Sequence, residues 1–270
     1  MRVLHVLHNS LPLLCGYSIR SGYIVRLQAA QGLDLQVVTS AQHPNGDLDE
    51  EMVDGIPHFR TRLAKRSTTP LVREWGLMRA LEKRVWEVAQ KFQPDVIHAH
   101  SPVLVGLPGF RVARKMGKPF VYEIRDLWEN AAVDRGKFGA ASPLYRLARG
   151  LETFALSHAD AVVTIGDTLK AELAPRAGGE QRVQIVANGV DIDAFAPRAA
   201  SEKTRARWNL RGKKVILYAG TFQPYEGLQL LVDALPRLRE KHPDAHLLIV
   251  GGSASLAYQD AAKGGNLTGA

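Results

Sequence analysis

The sequence predicts an α/β protein: a first domain built on a mainly parallel sheet, then the start of a second domain of the same kind. Three observations predict it. Short β-rich runs alternate with segments of helical periodicity from Met1 to Asn188. A polar, charged stretch, PRAASEKTRARWNLRGKK, interrupts that alternation. The pattern then begins afresh with VILYAG, a loop, a helical segment and AHLLIVGG. The expected boundaries are 1–196 for the first domain, 197–212 for the linker and 213–270 for a partial second domain.

RVLHVL reads as the first strand. The opening MRVLHVLHNS is too broken by His5, His8 and Asn9 to be a secretion signal. SIRSGYIVRLQAAQ is a helix closed by Gly32, and LQVVT is the second strand. MVDGIPHFRT has the form of a hairpin, with Asp54-Gly55 at its turn. Leu71, Trp75, Met78, Val85, Ala89 and Phe92 recur at helical spacing, and Pro94 ends that helix. DVIHAH, PFVYEIRD, ADAVVTI and RVQIVAN continue the strands. SPLYRLARGLETFAL is a helix with Ser142 as N-cap and Pro143 at its first position. In the second domain EGLQLLVDALPRLREKH is the helix between two strands, opened by Glu226. Two parallel strands cannot bury both faces of a sheet, and the tail GGSASLAYQDAAKGGNLTGA holds few large apolar residues. The expectation is therefore a second domain left incomplete at Ala270.

Composition narrows the classes of function. Hydrophobic residues make up 46% and charged residues 23% of the 270, as in a soluble globular protein. The single cysteine, Cys15, permits no internal disulfide and suits a reducing compartment. No run approaches the roughly 20 apolar residues of a membrane-spanning helix. A cytoplasmic protein is expected. The net charge of +8 favours anionic partners. Arg60, Arg62, Lys65, Arg66, Arg73, Arg79, Lys83 and Arg84 supply much of it, against Glu74 and Glu82. With no zinc-finger spacing and no RNA-binding signature, nucleic acid is not an expected partner.

The chemistry gathers at strand ends. Side chains alternate along a strand, so His98 and His100 of DVIHAH point to one side. Two such imidazoles can bind metal, hold a substrate or be tied up in hydrogen bonds. His8, His100 and Asp126 would make a metal set, but no HExxH or CxxC accompanies them, and substrate positioning is the favoured reading. In an open parallel sheet, ligands bind beyond the carboxyl ends of the strands at the switch in strand order. Should the RVLHVL and DVIHAH strands adjoin there, His8-Asn9, His98 to His100 and Glu123 to Asp126 converge on one cleft. Gly16, in LPLLCGYSIRSGY, either serves only the turn or lets backbone approach a ligand at the start of a helix. The loop is not GxGxxG and no acid ends LQVVT, which disfavours a nicotinamide cofactor. YAGTFQPYEG is the corresponding loop of the second domain and suits a phosphate held on backbone amides. There Glu226 would repel a diphosphate if it pointed inward, so it is expected to turn aside.

Taken in order, CGYS, DVIHAH, EIRDLWE, NGVD, YAGTFQPYEGLQLLVDALPRL and LLIVGG make the chain resemble the retaining, GT-B-fold glycosyltransferases of family four. EIRDLWE and YEGL look most like the subgroup associated with exopolysaccharide and exosortase loci. The resemblance implies two Rossmann-like domains, the first for a glycan or lipid-linked acceptor and the second for a nucleotide-sugar donor used as co-substrate. It implies no metal and no other cofactor. It also implies that catalytic His100 lies by the donor sugar, and that Gly16 and Tyr17 approach the diphosphate. Arg125 and Asp126 would line the acceptor side, His98 would bind substrate, and Gly220, Thr221, Glu226 and Gly227 would bind the donor. Two departures stand out. Thr221 and Glu226 occupy places where the family usually carries an Arg and a Lys, and the family's donor-gripping E-x₇-E segment would fall beyond Ala270. The expectation is a chain that alone transfers sugar poorly or not at all. An anionic inner-membrane surface is a further expected partner, met by the basic segment around Trp75 and Trp86. The alternatives are a nucleotide-sugar epimerase of GT-B fold and a non-catalytic glycan- or lipid-binding module.

Overall fold

The computed structural model describes residues 1–43, 48–62, 67–134, 136, 139, 141–220, 222, 226–251 and 267–269. The chain divides into two compact units, Met1–Gly189 and Val190–Ala270.

The strands of the first unit are β1 (Arg2–Leu7), β2 (Asp34–Thr39), β3 (Glu50–Val53), β4 (Ile56–Arg60), β5 (Val96–His100), β6 (Phe120–Glu123), β7 (Ala161–Thr164) and β8 (Val183–Ile185). They form one sheet in the order β3-β4-β2-β1-β5-β6-β7-β8. All neighbours are parallel except β3 and β4, which form the expected hairpin, with Asp54 and Gly55 at positive φ in its turn. The helices are α1 (Gly16–Ala30), α2 (Pro70–Phe92), α3 (Val103–Met116), α4 (Trp128–Asp134), α5 (Pro143–His158) and α6 (Asp167–Ala177). β1 lies between β2 and β5, so the strand order reverses there, as the convergence argument required.

The two faces of this sheet differ in chemistry. Leu4, Val6, Ile97, Ala99, Phe120, Tyr122 and Val162 turn to one side and pack with α2, α3, α5 and α6 into the main hydrocarbon core. The alternate residues, His5, His98, His100 and Glu123, are also buried. They lie on the face that β1 shares with α1, where Val3 and Leu7 meet Val25. α1 turns Ser18, Ser21 and Val25 inward, so this helix covers polar ground as well as apolar.

Helix α3 did not declare itself in the sequence, because SPVLVGLPGF carries Gly106, Pro108 and Gly109. The structure gives the glycines a purpose. A Cβ on Gly106 would sit 2.6 Å from the Tyr122 ring, and one on Gly109 would lie 3.0 Å from Ala99 Cβ. Their absence lets the helix lie directly on β5 and β6. α5 starts as expected, with Ser142 accepting a hydrogen bond from the Tyr145 N–H. PFVYEIRD stops being strand at Glu123, which leaves Ile124 to Asp126 as a short connection into α4.

The second unit contains α7 (Glu202–Arg207), β9 (Lys214–Ala219), α8 (Leu228–Lys241), β10 (Ala245–Val250) and β11 (Leu267–Gly269). The stretch expected as linker thus carries a short helix. The expected two-stranded sheet is corrected to three parallel strands, β11-β10-β9, because 267–269 pairs with β10. The helix also begins later than expected: Gly227 is its N-cap, at φ +70°, so Glu226 precedes it. No helix among the described residues is long and apolar enough to cross a membrane.

Candidate functional site

Register brings the histidines together. His5 of β1 pairs with His98 of β5, and His100 pairs with Glu123 of β6. The His98 and His100 rings stack with centroids 4.3 Å apart, as same-side side chains must. His100 is fully buried, yet its surroundings are polar.

Hydrogen-bond geometry assigns the protons in this cluster. The guanidinium of Arg125 can only donate, and it lies 2.6 Å from His100 Nδ1, so that nitrogen accepts. His100 Nε2 then carries the proton and donates to His5 Nδ1 at 3.1 Å. His5 Nε2 in turn donates to Gln28 Oε1 at 2.8 Å. Both rings are neutral in this chain of bonds. Their pKa values agree: burial, then repulsion from His98, brings His5 down to about 3. Burial also lowers His100 well below the ordinary value, against the pull of Glu123.

Glu123 is the anionic centre. It accepts from Arg125 Nε at 2.8 Å and Arg20 Nε at 3.0 Å, and His98 Nε2 lies 3.4 Å from its second oxygen. Burial opposes its ionisation, but the adjacent His98 and the Arg125 guanidinium outweigh that and hold the carboxyl well below the usual range. Arg20 continues to the carbonyls of Val186 and Ala187 and to Asn188 Oδ1, tying the NGVD stretch to α1. Arg125 also donates to the Tyr17 carbonyl and to Ser21, and its guanidinium stacks 4.5 Å from the Tyr17 ring centroid. On the other side of β1, buried Arg60 grips Glu51, Ser10, Thr39 and the Leu11 carbonyl, which anchors the loop after β1.

His5, His98 and His100 are also the one group among the described residues with metal-ligand spacing, their ligand atoms within 4.8 Å of one another. The donor chemistry does not suit an ion. A metal on His100 Nε2 would displace the bond to His5, set either a second N–H or an imidazolate against the Arg125 guanidinium, and add a cation to a site that already holds two guanidinium groups. The His8, His100 and Asp126 set weighed from sequence does not form such a group.

Asp126 and Tyr17 do meet in a cleft. It holds about 300 Å³ and is lined by His8 beyond β1, Ser101 beyond β5, Asp126 and Trp128 beyond β6, and Glu74 of α2. These are the ends of adjacent strands at the order reversal. Tyr17 Oη accepts from the His8 backbone N–H at 3.0 Å and so links α1 to the end of β1. Behind Trp128, Glu129 turns inward to Arg176 at 2.9 Å. Beside it Tyr122 Oη donates to Glu152 at 2.6 Å.

The predicted site residues therefore divide. Tyr17 and Asp126 line the cleft. His98, His100 and Arg125 form the polar cluster beneath α1, and the ring nitrogens of His100 are already engaged. Gly16 opens α1, where an added Cβ would meet nothing within 4 Å. In the second unit the Tyr218 hydroxyl donates to Glu226, and Gly220 N–H donates to the Val250 carbonyl at 3.0 Å. Thr221 lies outside the described residues. His5, Gln28, Arg20, Arg60 and Glu74 were not foreseen as site residues. Their signal was faint: a polar residue inside an apolar run for His5, and none for the long-range partners of the arginines.

Residues 18–194 match the family model Glycosyltransferase Family 4. The chain belongs to glycosyltransferase family 4. Residues 200–267 match a second model, Glycosyl transferases group 1. A GDP-mannose-dependent alpha-mannosyltransferase of Mycobacterium tuberculosis (strain CDC 1551 / Oshkosh) is 29% identical over 229 residues, which cover 83% of this chain and 57% of that protein. The chain thus spans little more than half the length of the curated relatives it matches. Among solved structures, the sucrose-phosphate synthase of Thermosynechococcus elongatus superposes with a TM-score of 0.73 at 18% identity, covering 100% of this chain and 70% of that one. A UDP-GlcNAc 2-epimerase from Neisseria meningitidis, bound to UDP-GlcNAc, gives 0.63 at 14%, covering 100% and 72%. At such identities these likenesses bear on fold alone. The family-4 chain has the GT-B class of fold, with a Rossmann-like eight-stranded unit and a second, smaller parallel sheet.

Proposed function

We propose that this family-4 chain belongs to a glycosyltransferase that moves a sugar, with retained anomeric configuration, from a nucleotide-sugar donor to a glycan acceptor. The observation that carries the reading is the family-4 match over 18–194, whose span holds Asp126, Ser101 and most of the cleft at the order reversal. Breaking a glycosyl–phosphate bond builds negative charge on the leaving diphosphate, which preorganised dipoles must meet. The first turn of α1 supports that role, since no acidic residue occupies it, no side chain caps it and a Cβ added to Gly16 would meet nothing within 4 Å.

His100 is proposed to act through its neighbours. With both ring nitrogens bonded, it fixes Arg125 and His5, and through them the ends of β5, β6 and α1. It is a positioning residue in this reading. In the second unit Gly220, Thr221, Glu226 and Gly227 are proposed to bind the donor, and the Glu226 carboxylate accepts from the Tyr218 hydroxyl.

A lipid-linked acceptor in exopolysaccharide or cell-envelope synthesis, reached from the cytoplasmic face of a membrane, is the finer proposal. It rests on EIRDLWE and YEGL, and on Leu71, Val72 and Trp75, which stand exposed on α2 near Arg73 and Arg79. Each basic residue near an anionic surface adds about 1 kcal/mol. Salt-sensitive binding to anionic vesicles and none to neutral ones is expected. The epimerase alternative draws support only from fold.

Product analysis tests the reading. Incubation with UDP- and GDP-sugars and a panel of glycans should yield a glycoside, with slow turnover. Accumulation of an epimerised sugar without acceptor would instead favour the epimerase. Gly16→Ala should leave stability unchanged while weakening nucleotide binding, because only a ligand would meet the new methyl group.

A further inference from the structure

A buried polar cluster that the proposed reaction does not use adjoins the cleft at the strand ends. It draws Tyr122 from β6, Glu129 from α4, Glu152 from α5 and Arg176 from α6. Glu129 and Glu152 are 0% and 1% exposed, so solvent screens neither carboxyl. Each is tied to the cleft wall. Glu129 follows Trp128 on the short helix α4, which lines the cleft with Trp128 and Ala131. Glu152 accepts from the Val103 N–H at the start of α3, beside the lining residues Ser101, Pro102 and Leu104.

Charge does not balance in this cluster, because two carboxyls share one guanidinium. Arg176 is anchored on α5, donating from Nε to Thr153 Oγ1 at 3.0 Å and from Nη2 to the Arg149 carbonyl at 3.3 Å. Its Nη1 crosses to α4 and lies 2.9 Å from Glu129 Oε1, an ion pair without hydrogen-bond alignment. Tyr145 Oη, donating to Asn130 Oδ1 at 3.0 Å, is a second tie between α5 and α4. Tyr122 Oη donates to Glu152 Oε1 at 2.6 Å, whereas Glu152 Oε2 is buried with no hydrogen-bond partner among the described residues. A second ionised carboxylate would leave an uncompensated charge in the interior. One proton therefore stays on Glu152 while Arg176 stays with Glu129. Burial is the largest influence on Glu152, the Tyr122 hydrogen bond opposes it and Glu129 adds to it, which brings the carboxyl up to about 7 against Arg176 and the Val103 N–H.

We propose that Glu152, Glu129 and Arg176 form a pH-sensitive latch on the cleft wall. With Glu152 protonated, Arg176 holds Glu129 and α4 stays docked. When Glu152 gives its proton to water, two carboxylates compete for one guanidinium, and α4 loosens together with Trp128. The Tyr145–Asn130 bond keeps α4 attached in both states, so the movement is local. The latch regulates the cleft whichever ligand that cleft takes.

The test is ¹⁹F NMR on the whole chain carrying fluorotryptophan, with the Trp128 resonance assigned by Trp128→Phe. The wild-type Trp128 signal should titrate with a midpoint of about 7. Its solvent isotope shift between H₂O and D₂O should rise at least about twofold from about pH 5.5 to about pH 8.5, as the indole gains exposure. Glu152→Gln, which mimics the protonated carboxyl, should hold the signal at its low-pH position throughout. Glu129→Gln leaves Arg176 to Glu152 alone and should move the midpoint down by at least about one pH unit, because a nearby opposite charge favours the ionised form. Circular dichroism checks the fold of each variant, and either variant serves alone. The latch is overturned by a Trp128 signal that does not titrate, or by a titration with no change in isotope shift. A titration that persists in Glu152→Gln, or a midpoint unmoved in Glu129→Gln, overturns it equally. No sugar or nucleotide enters the measurement, so its failure leaves the glycosyltransferase reading in place, and a failed transfer assay leaves the latch.

Discussion

Replacing Glu123 by glutamine probes the cluster that organises the strand ends. The carboxylate is 1% exposed, and its partners Arg20 and Arg125 are 11% and 10% exposed, so solvent screens these pairs little. Removing one member of a buried pair costs about 3–5 kcal/mol, chiefly because the remaining charge is stranded. Here two guanidinium groups lose their counter-ion, while the glutamine carbonyl still accepts one hydrogen bond. The expected loss is therefore about 3 kcal/mol at pH 7. Urea unfolding in a Trp208→Phe background measures it, since Trp75, Trp86 and Trp128 then report the first unit alone. The pH dependence has a definite sign. The folded carboxyl is held below its ordinary value, so its contribution is complete above the ordinary carboxylate range and is lost as pH falls through it. The gap between wild type and Glu123→Gln should stay constant from pH 7 to about 5 and shrink as pH falls below about 4.5. A difference under about 1 kcal/mol at pH 7, or one that does not depend on pH, would refute the ionic account.

Three other outcomes follow from the same geometry. Glu152 is raised from 4.5 to about 7 by burial and by Glu129, against the Tyr122 hydrogen bond, Arg176 and the Val103 backbone. Its folded form keeps a proton that the unfolded form has lost, so stability should fall between about pH 4.5 and 7, and Glu152→Gln should flatten that slope, worth up to about 3 kcal/mol. Gly106→Ala should destabilise the first unit by about 1–3 kcal/mol, because its methyl group collides with the Tyr122 ring, as thermal unfolding would register. ¹⁵N NMR of the histidines should find His5 and His100 neutral, protonated on Nε2 and silent between pH 8 and 5. A titration of either ring in that window would contradict the proton assignment.

Much of this architecture was legible in the sequence because local chemistry wrote it. Asp54-Gly55 needed positive φ, Ser142-Pro143 needed a helix start, and the alternating apolar residues of RVLHVL and DVIHAH needed a buried strand. The convergence of β1, β5 and β6 followed from the rule for open parallel sheets, and Asp126 and Tyr17 do line the resulting cleft. What stayed hidden depends on contacts far apart in the chain. Gly106 and Pro108 read locally as breakers, whereas close packing on Tyr122 makes the glycine a requirement. His100 reads as a free strand-tip imidazole, and only the fold reveals that Arg125 and His5 take both its nitrogens. Glu74 sits on a helix whose apolar stripe says nothing of a cleft beside it.

The account stands most directly on the anomeric carbon. A nucleotide sugar labelled with ¹³C at C1, followed by NMR in the presence of the chain and a polyhydroxylated acceptor, should yield a new glycoside of the same anomeric configuration as the donor. A product of inverted configuration, or release of sugar with no glycoside formed, would contradict it.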